Sequence, residues 1–281
     1  MIANIMAQLH MSGTNQIELD MVRHMIINSL RNYKVKFSNE FGEMVIATDT
    51  SNYWRRSLFP YYKKNRKVQM DKSDVDWKAI FEALNTVREE IRNIFPYRVI
   101  SVDSAEADDI IAVLVKKFNQ NEKILILSSD KDFLQLQRFD GVSQYDPLHK
   151  RPLSTTNPSQ FLLEHIFKGD RGDGIPNVLS RDDSYINSIR QKPITSKRIK
   201  AWTGFNGTPS AEFINICEND PQIKKNFERN QKLIDLSLVP QSIEDEIERQ
   251  YSEQSNKNRS KLLNYFIENK MRHMIEALSD F

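Results

Sequence analysis

The sequence is short of several things, and each shortage excludes a class of protein. It has one cysteine, Cys217, in 281 residues, so no intrachain disulfide can form, which fits a reducing compartment. No stretch approaches the roughly 18 uninterrupted apolar residues of a membrane-spanning helix, and the mean hydropathy is -0.58. The opening residues MIANIMAQLHMSG have no basic stretch and hold Asn, Gln and His, so they do not make a secretory signal. The five histidines show neither an H-x-x-x-H pair nor a Cys/His ligand spacing, which argues against a zinc site. No Ser/His/Asp set and no glycine-rich phosphate loop after a strand is present either. Net charge is only +2, so the chain as a whole has no excess of one sign.

The distribution of charge is more telling than its sum. Residues 55–67 (RRSLFPYYKKNRK) carry six basic side chains and no acid; residues 190–200 (RQKPITSKRIK) carry five and no acid. Seven carboxylates gather elsewhere, at the ends of apolar runs: Asp49 after MVIAT, Glu106 and Asp108 before IIAVLV, Asp130 and Asp132 after ILIL, and Asp170 and Asp173 in KGDRGDGIPN. Acids fixed at the ends of buried elements repel one another unless cations lie between them. A hard divalent metal is the simplest such cation, and a phosphodiester is the simplest substrate for two of them. Basic runs beside an acidic cleft suit a metal-dependent nuclease.

Periodicity places these clusters. Residues 20–37 read as an amphipathic helix, Met44–Thr48, Arg98–Val102 and Ile124–Leu127 as strands, and Trp77 to Phe95 as a second helix with Asp74 as N-cap and Pro96 as stop. Ala105–Phe118 reads as a third helix. Alternating strands and helices imply an α/β fold on a parallel twisted sheet, with function at the C-terminal ends of the strands. After about Arg151 the pattern changes: strand-like runs fade and helices are read at 159–167, 210–217, 223–236 and 261–278, with 242–259 a loop or a loosely packed helix. The predicted domains are therefore 1–155 and 156–281.

Each cluster has a plain alternative. Asp49 suits a cap, Glu106 and Asp108 a helix start, Asp130 and Asp132 a strand-to-helix turn, and Asp170 and Asp173 a glycine turn. Their order is more specific than any one of them. Asp49, then Tyr62-Lys63-Lys64-Asn65-Arg66, then Glu106-Ala107-Asp108-Asp109, then Ser128-Ser129-Asp130-Lys131-Asp132, then Gly169-Asp170-Arg171-Gly172-Asp173 resembles the ordered motifs of the 5′-nuclease (flap endonuclease) superfamily, closest to its phage ribonuclease H branch. The resemblance is strongest over residues 17–175.

The resemblance implies a PIN-like catalytic domain, a helical arch at about 55–80, and a helix–three-turn–helix element after Gly169 in a C-terminal helical domain. It implies a 5′→3′ exonuclease, ribonuclease H and flap endonuclease acting on RNA–DNA hybrids and branched or nicked duplex DNA, removing RNA primers in phage DNA replication. Two Mg²⁺ ions, with Mn²⁺ able to substitute, would activate water and stabilise the leaving oxygen. Asp49, Glu106, Asp108 and Asp130 would hold the first ion; Asp132, Asp170 and Asp173 would hold the second, with Asp130 near both. Lys63 and Arg55 would neutralise charge on the phosphate. Arg56, Tyr62, Lys64, Arg66 and Lys67 would meet nucleic acid, with Tyr61 and Tyr62 stacking on a base or packing in the core. Gly172, Gly174, Lys197, Arg198 and Lys200 would grip duplex phosphates. A single-strand-binding protein and a sliding clamp are the expected partners, the host cytoplasm the expected location, and a monomer the expected state, with no membrane contact.

One departure from the pattern stands out. The family carries a further Asp at the end of a first strand, and this chain opens after that point; an upstream strand is the expectation. Without that Asp the alternative is a branched-DNA binder with impaired catalysis. A HAD-type phosphohydrolase is a remote alternative, because that class needs D-x-D where Asp49 is followed by Thr50-Ser51.

Overall fold

The computed structural model describes residues 17–255 and 258–281; the opening segment that makes no secretory signal, His10 included, lies outside the described residues. In chain order the elements are α1 (Leu19–Phe41), β1 (Val45–Ala47), α2 (Arg55–Leu58), α3 (Lys64–Met70), α4 (Trp77–Ile94), β2 (Arg98–Ile100), α5 (Ala107–Phe118), β3 (Ile124–Leu127), a 3₁₀ segment (Lys131–Arg138), β4 (Val142–Asp146), β5 (Arg151–Leu153), α6 (Pro158–Lys168), α7 (Ser196–Trp202), α8 (Ala211–Asn219), α9 (Pro221–Ile234), α10 (Gln241–Glu253), α11 (Leu262–Glu268) and α12 (Arg272–Glu276). The α/β class holds, with no strand following α6 among the described residues.

Packing divides the chain into two compact units that do not follow the sequence division at 155/156. One contains the described residues to Thr48, Ser73–Ser101 and Glu246–Phe281; the other contains Asp49–Lys72 and Val102–Asp245.

In the first unit, α1 turns Val22, Ile26, Ile27 and Leu30 inward, and α4 turns Ala83, Val87 and Ile91 inward. These positions recur at helical spacing, so burying one stripe of each helix removes them from water together. The α4 cap is Asp76, which accepts from Ala79 N at 2.9 Å, two residues beyond the expected Asp74. Phe95 sits among Tyr97, Tyr265, Phe266 and the terminal Phe281, with ring centroids 5.5–6.0 Å away. The expected 261–278 helix is broken between α11 and α12, where Lys270 takes a left-handed φ of 55°. β1 and β2 pair in parallel, Val45 opposite Arg98 and Ala47 opposite Ile100. Gln250 and Gln254 hydrogen-bond the backbone of Ser101 and Val99 through both amide atoms, at 3.0–3.2 Å, and so satisfy strand groups that would otherwise be open. The segment expected to be a loop or a loosely packed helix is largely α10, whose part in this unit buries Ile247.

In the second unit, β3 pairs in parallel with β4, and β4 antiparallel with β5. β4 and β5 are absent from the sequence reading because buried Gln144 and Asp146 interrupt the apolar alternation of β4. Ala112 and Val115 of α5 pack with Ile126, Phe133 and Leu136. α6 is buried on two sides: Leu162 and Ile166 join Phe59, Tyr62 and Ile175, while Leu163 and Phe167 join Val178, Trp202 and Phe213. α3, within the expected arch region, buries no residue.

Candidate metal centre

All seven predicted carboxylates, Lys63 and Arg55 belong to the second unit. Asp49 is exposed, and its Oδ1 accepts from Ala107 N at 2.8 Å, at the first turn of α5. That turn supplies three acids with different fates. Asp109 faces inward at 0 % exposure and accepts from Glu106 N, Trp54 Nε1 and Arg55 Nη1, each at 3.0 Å. Glu106, also buried, accepts from Arg55 Nη1 and from the Tyr62 hydroxyl at 2.9 Å each, and from Lys63 Nζ. Asp108 accepts no hydrogen bond from any protein donor among the described residues. Burial pushes it well above the usual carboxylate range; Asp130, Glu106 and Asp49 add to that push and Lys63 opposes it.

The remaining acids come from two turns. Asp130 caps the 3₁₀ segment through Asp132 N, 3.0 Å from its Oδ1. The loop beneath is held by buried β4 residues: Gln144 Nε2 donates to Ser128 O at 2.8 Å and to Asp130 O at 2.6 Å, and the Ser129 hydroxyl donates to Asp146. Asp170 and Asp173 sit on a turn closed by paired bonds between Asp170 and Ile175, at 2.9 and 2.7 Å. Gly169 enters it at a φ of 66°, where a Cβ would lie 2.3 Å from Ile175 O, so only glycine fits. Asn230 Nδ2 donates to Ile166 O and Pro176 O at 2.8 and 2.9 Å, and Asn226 Nδ2 to Val178 O and Ser180 O at 2.9 and 3.1 Å, so α9 fixes the turn from behind.

Asp132 is pushed up to about 7, first by burial and then by Asp130, Asp170 and Asp173, with His165 opposing. Asp130 thus acts electrostatically on both Asp108 and Asp132. Asp173 is held by cations: Arg66 pairs with its Oδ1, the Tyr62 hydroxyl donates to its Oδ2 at 2.9 Å, and Lys63 Nζ lies 3.6 Å away. Lys63 itself has a left-handed φ of 57°. Burial works to lower its pKa, but Asp173 and Glu106 outweigh burial and raise it, so the ammonium stays charged.

Several assignments change here. Arg55 is 2 % exposed and is spent on Glu106, Asp109 and Leu233 O; it is a buried clamp and does not face a phosphate. Tyr62 is 2 % exposed, with its hydroxyl committed to Glu106 and Asp173, so it cannot stack on a base. Arg66 is half exposed but paired with Asp173. Glu106 gives both oxygens to protein donors. Arg56, Lys64 and Lys67 remain exposed, Arg56 over the Tyr53 ring and Lys64 over that of Tyr61. Lys197, Arg198 and Lys200 are exposed on α7, around buried Ile199. Gly174 has a φ of 72° and packs against Asn65, whose amide donates to Arg171 O and Gly172 O.

The sequence reading missed His165. Its Nε2 lies 3.2 Å from Asp170 Oδ2 and its Nδ1 3.3 Å from Asp132 Oδ1. Only its position one turn before the Gly169 turn could have signalled this. It also missed a cavity of about 630 Å³ lined by Tyr61, Arg181, Arg190, Lys192 and Lys225 among others. Two carboxylates, Asp108 and Asp132, whose pKa is raised first by burial and then by neighbouring acids, beside a shielded imidazole nitrogen, suit a divalent cation by their chemistry.

Comparison with known proteins agrees. The family model described as the 5′-3′ exonuclease, N-terminal resolvase-like domain matches residues 6–164, and that described as T4 RNase H, C terminal matches residues 158–281. The chain is 32 % identical to the ribonuclease H of Enterobacteria phage T4, over all of this chain and 93 % of that protein. It is 34 % identical to the flap endonuclease Xni of Shewanella sp. (strain ANA-3), over 44 % of this chain and 48 % of that one. Among solved structures, T5 5′-exonuclease with bound zinc ions aligns at a TM-score of 0.62 and 19 % identity, covering 90 % of this chain and 97 % of the other, which speaks for a shared fold.

Proposed function

The chain belongs to the 5′→3′ exonuclease family, and from that membership we propose how its own residues carry out the reaction. It is a hydrolytic nuclease of the 5′→3′ exonuclease, ribonuclease H and flap endonuclease type. We propose that the substrates are RNA–DNA hybrids and branched or nicked duplex DNA, and that the work is primer removal in phage replication within the host cytoplasm. One observation supports the site: Asp49, Asp108 and Asp130 lie in one unit with carboxylate oxygens that no protein cation takes among the described residues, while Arg55 and Arg66 are spent on Glu106, Asp109 and Asp173.

Asp49, Asp108 and Asp130 would hold one divalent cation, and Asp130 and Asp132, with the Asp170 turn, a second; Mg²⁺ is the proposed ion, with Mn²⁺ able to replace it. When bound, such ions polarise the phosphate and favour an ionised attacking water. Lys63, kept charged by its neighbours, offers a fixed positive group to the phosphate as negative charge builds. Arg56, Lys64 and Lys67 would attract the single strand. Lys197, Arg198 and Lys200 would hold duplex phosphates without reading bases, and the basic cavity around Arg190, Lys192 and Lys225 would extend that track. The division into a nuclease region, 1–155, and a duplex-gripping region, 156–281, belongs to this proposal, as do a monomeric state and docking to a single-strand-binding protein and a sliding clamp.

The test is cleavage of a 5′-flap duplex and of an RNA–DNA hybrid in Mg²⁺, Mn²⁺ and EDTA, beside Asp108→Asn and Asp130→Asn. Metal-dependent cleavage lost in both variants is the expected outcome. Tight binding without cleavage in either metal would favour the impaired branched-DNA binder instead.

A further inference from the structure

Among the described residues, His165 brings an imidazole to both Asp132 and Asp170. Its side chain is 14 % exposed, and its two ring nitrogens face different carboxylates. Nε2 lies at hydrogen-bond distance from Asp170 Oδ2, 3.2 Å. Nδ1 lies 3.3 Å from Asp132 Oδ1, yet this buried nitrogen has no aligned hydrogen-bond partner. Both oxygens of Asp170 are engaged: its Oδ2 meets the ring, and its Oδ1 accepts from Asp173 N at 2.9 Å. Asp170 therefore looks less like a ligand and more like a support that holds an imidazole in one orientation. A carboxylate that accepts from one ring nitrogen leaves the lone pair on the other, which is the arrangement that orients metal-bound histidines. The separation between Nδ1 and Asp132 also fits. Two donors bound to one ion at roughly 2.0–2.1 Å in four-coordinate geometry lie about 3.3–3.4 Å apart. One donor atom from each of Asp132, His165 and Asp170 falls within 4.8 Å of the others.

We propose that His165 Nδ1 and Asp132 form a mixed nitrogen–oxygen cation site in which Asp170 orients the ring, so that the second ion of this enzyme is drawn from the transition metals, Mn²⁺, Co²⁺ or Zn²⁺, in preference to Mg²⁺. Carboxylate-only sites favour hard ions such as Mg²⁺; an imidazole donor raises affinity along the series from Mn²⁺ toward Zn²⁺. The proposal rests on the reading of the carboxylate cluster as a two-cation centre. It changes that reading in two ways: it makes Asp170 a positioning residue, and it makes the two sites chemically unequal.

Mn²⁺ is both the probe and a member of the favoured class. Titrating the full chain with Mn²⁺ and following the free-ion electron paramagnetic resonance signal counts the bound ions. Electron spin-echo modulation from ¹⁴N then reports whether a histidine nitrogen binds one of them. The expected result is two bound Mn²⁺ with a ¹⁴N modulation that disappears in His165→Gln together with a loss of affinity at that site. Asp170→Asn should keep the modulation while weakening the same site roughly tenfold to hundredfold, and Mg²⁺ should displace the nitrogen-bound Mn²⁺ less readily than the other. Two bound Mn²⁺ with no ¹⁴N modulation, or a modulation that survives His165→Gln, overturns the proposal and leaves the two-cation centre standing. Mn²⁺ binding that is absent, or unaffected by both Asp108→Asn and Asp132→Asn, overturns the centre itself and the proposal with it. Circular dichroism of each variant confirms that it is folded.

Discussion

Replacing Arg55 by methionine separates a structural from a catalytic role for this residue. Its guanidinium is buried between Glu106 and Asp109, at 2.9 and 2.7 Å, with all three side chains 2 % exposed or less. Its Nε also donates to Leu233 O at 2.9 Å. Arg55→Met keeps the length and removes the charge. Breaking a buried pair by removing one partner costs ~3–5 kcal/mol. Glu106 would keep Lys63 and Tyr62, and Asp109 would keep Trp54 Nε1, so the lower end applies, about 3 kcal/mol. The abandoned Leu233 carbonyl adds about 1 kcal/mol. At roughly 2–4 °C per kcal/mol for a unit of this size, Tm should fall by about 8–16 °C. Thermal melting by circular dichroism in EDTA measures this without any contribution from bound metal. Adding Asp109→Asn to the variant should cost less than the sum of the two single changes. A Tm within 2 °C of the parent, joined to a large loss of cleavage, would refute the reasoning and restore Arg55 to the phosphate.

Three further outcomes are expected. Asp132 has a raised pKa of about 7 when folded, so the folded chain holds a proton that the unfolded chain releases near pH 4, and stability is lost as pH rises through that window; Asp132→Asn should therefore raise the Tm of the metal-free protein above pH 7, with the gain vanishing below about pH 4, while cleavage is lost. A gain equal at every pH from 4 to 8 counts against that origin. Changing Lys197, Arg198 and Lys200 to Ala should weaken duplex binding for all sequences alike and lower the salt slope by about one per removed phosphate contact, measured by fluorescence anisotropy across salt concentrations; an unchanged slope places the duplex elsewhere. Gly169→Ala should abolish cleavage, because its Cβ cannot share space with Ile175 O at a φ of 66°, and a fully active variant in the flap assay would show that the turn is not required.

Legibility from sequence was uneven for physical reasons. The ILIL strand, the Ala107–Phe118 helix and the Pro158–Lys168 helix carry continuous apolar runs or periodic stripes, and their bounds fall within one or two residues of expectation. β4 was hidden because its buried polar residues serve the Ser128–Asp130 loop and not the core. α10 reads from the sequence only as a loop or a loosely packed helix, because Ile243 and Ile247 are the buried apolar residues of its inner face and Gln250 serves the backbone of Ser101. The order of acids was legible along the chain. Their division was not, because it depends on partners far away in sequence: Glu106 meets Tyr62 and Arg55 across 44 and 51 residues, and Asp173 meets Arg66 across 107. Spacing can gather carboxylates, but it cannot say which of them the protein has already neutralised.

That division limits what the centre can bind. Glu106, Asp109 and Asp173 are matched by Arg55, Lys63, Arg66 and the Tyr62 hydroxyl, so their charges are largely cancelled within the protein. Asp49 and Asp130 accept only backbone amides, and Asp108 accepts no protein donor among the described residues. If the cluster served folding alone, leaving these acids buried and close together would be costly, and the pKa values of Asp108 and Asp132, raised first by burial and then by their acidic neighbours, express that cost. Protons can relieve it at low pH; at neutral pH a divalent cation relieves it better, since one ion answers several carboxylates at once. Metal should therefore stabilise the fold more at pH 8 than at pH 5, an outcome that melting curves with and without Mg²⁺ can read. A metal-induced shift in Tm that is the same at both values would mean that the acids were not in conflict to begin with.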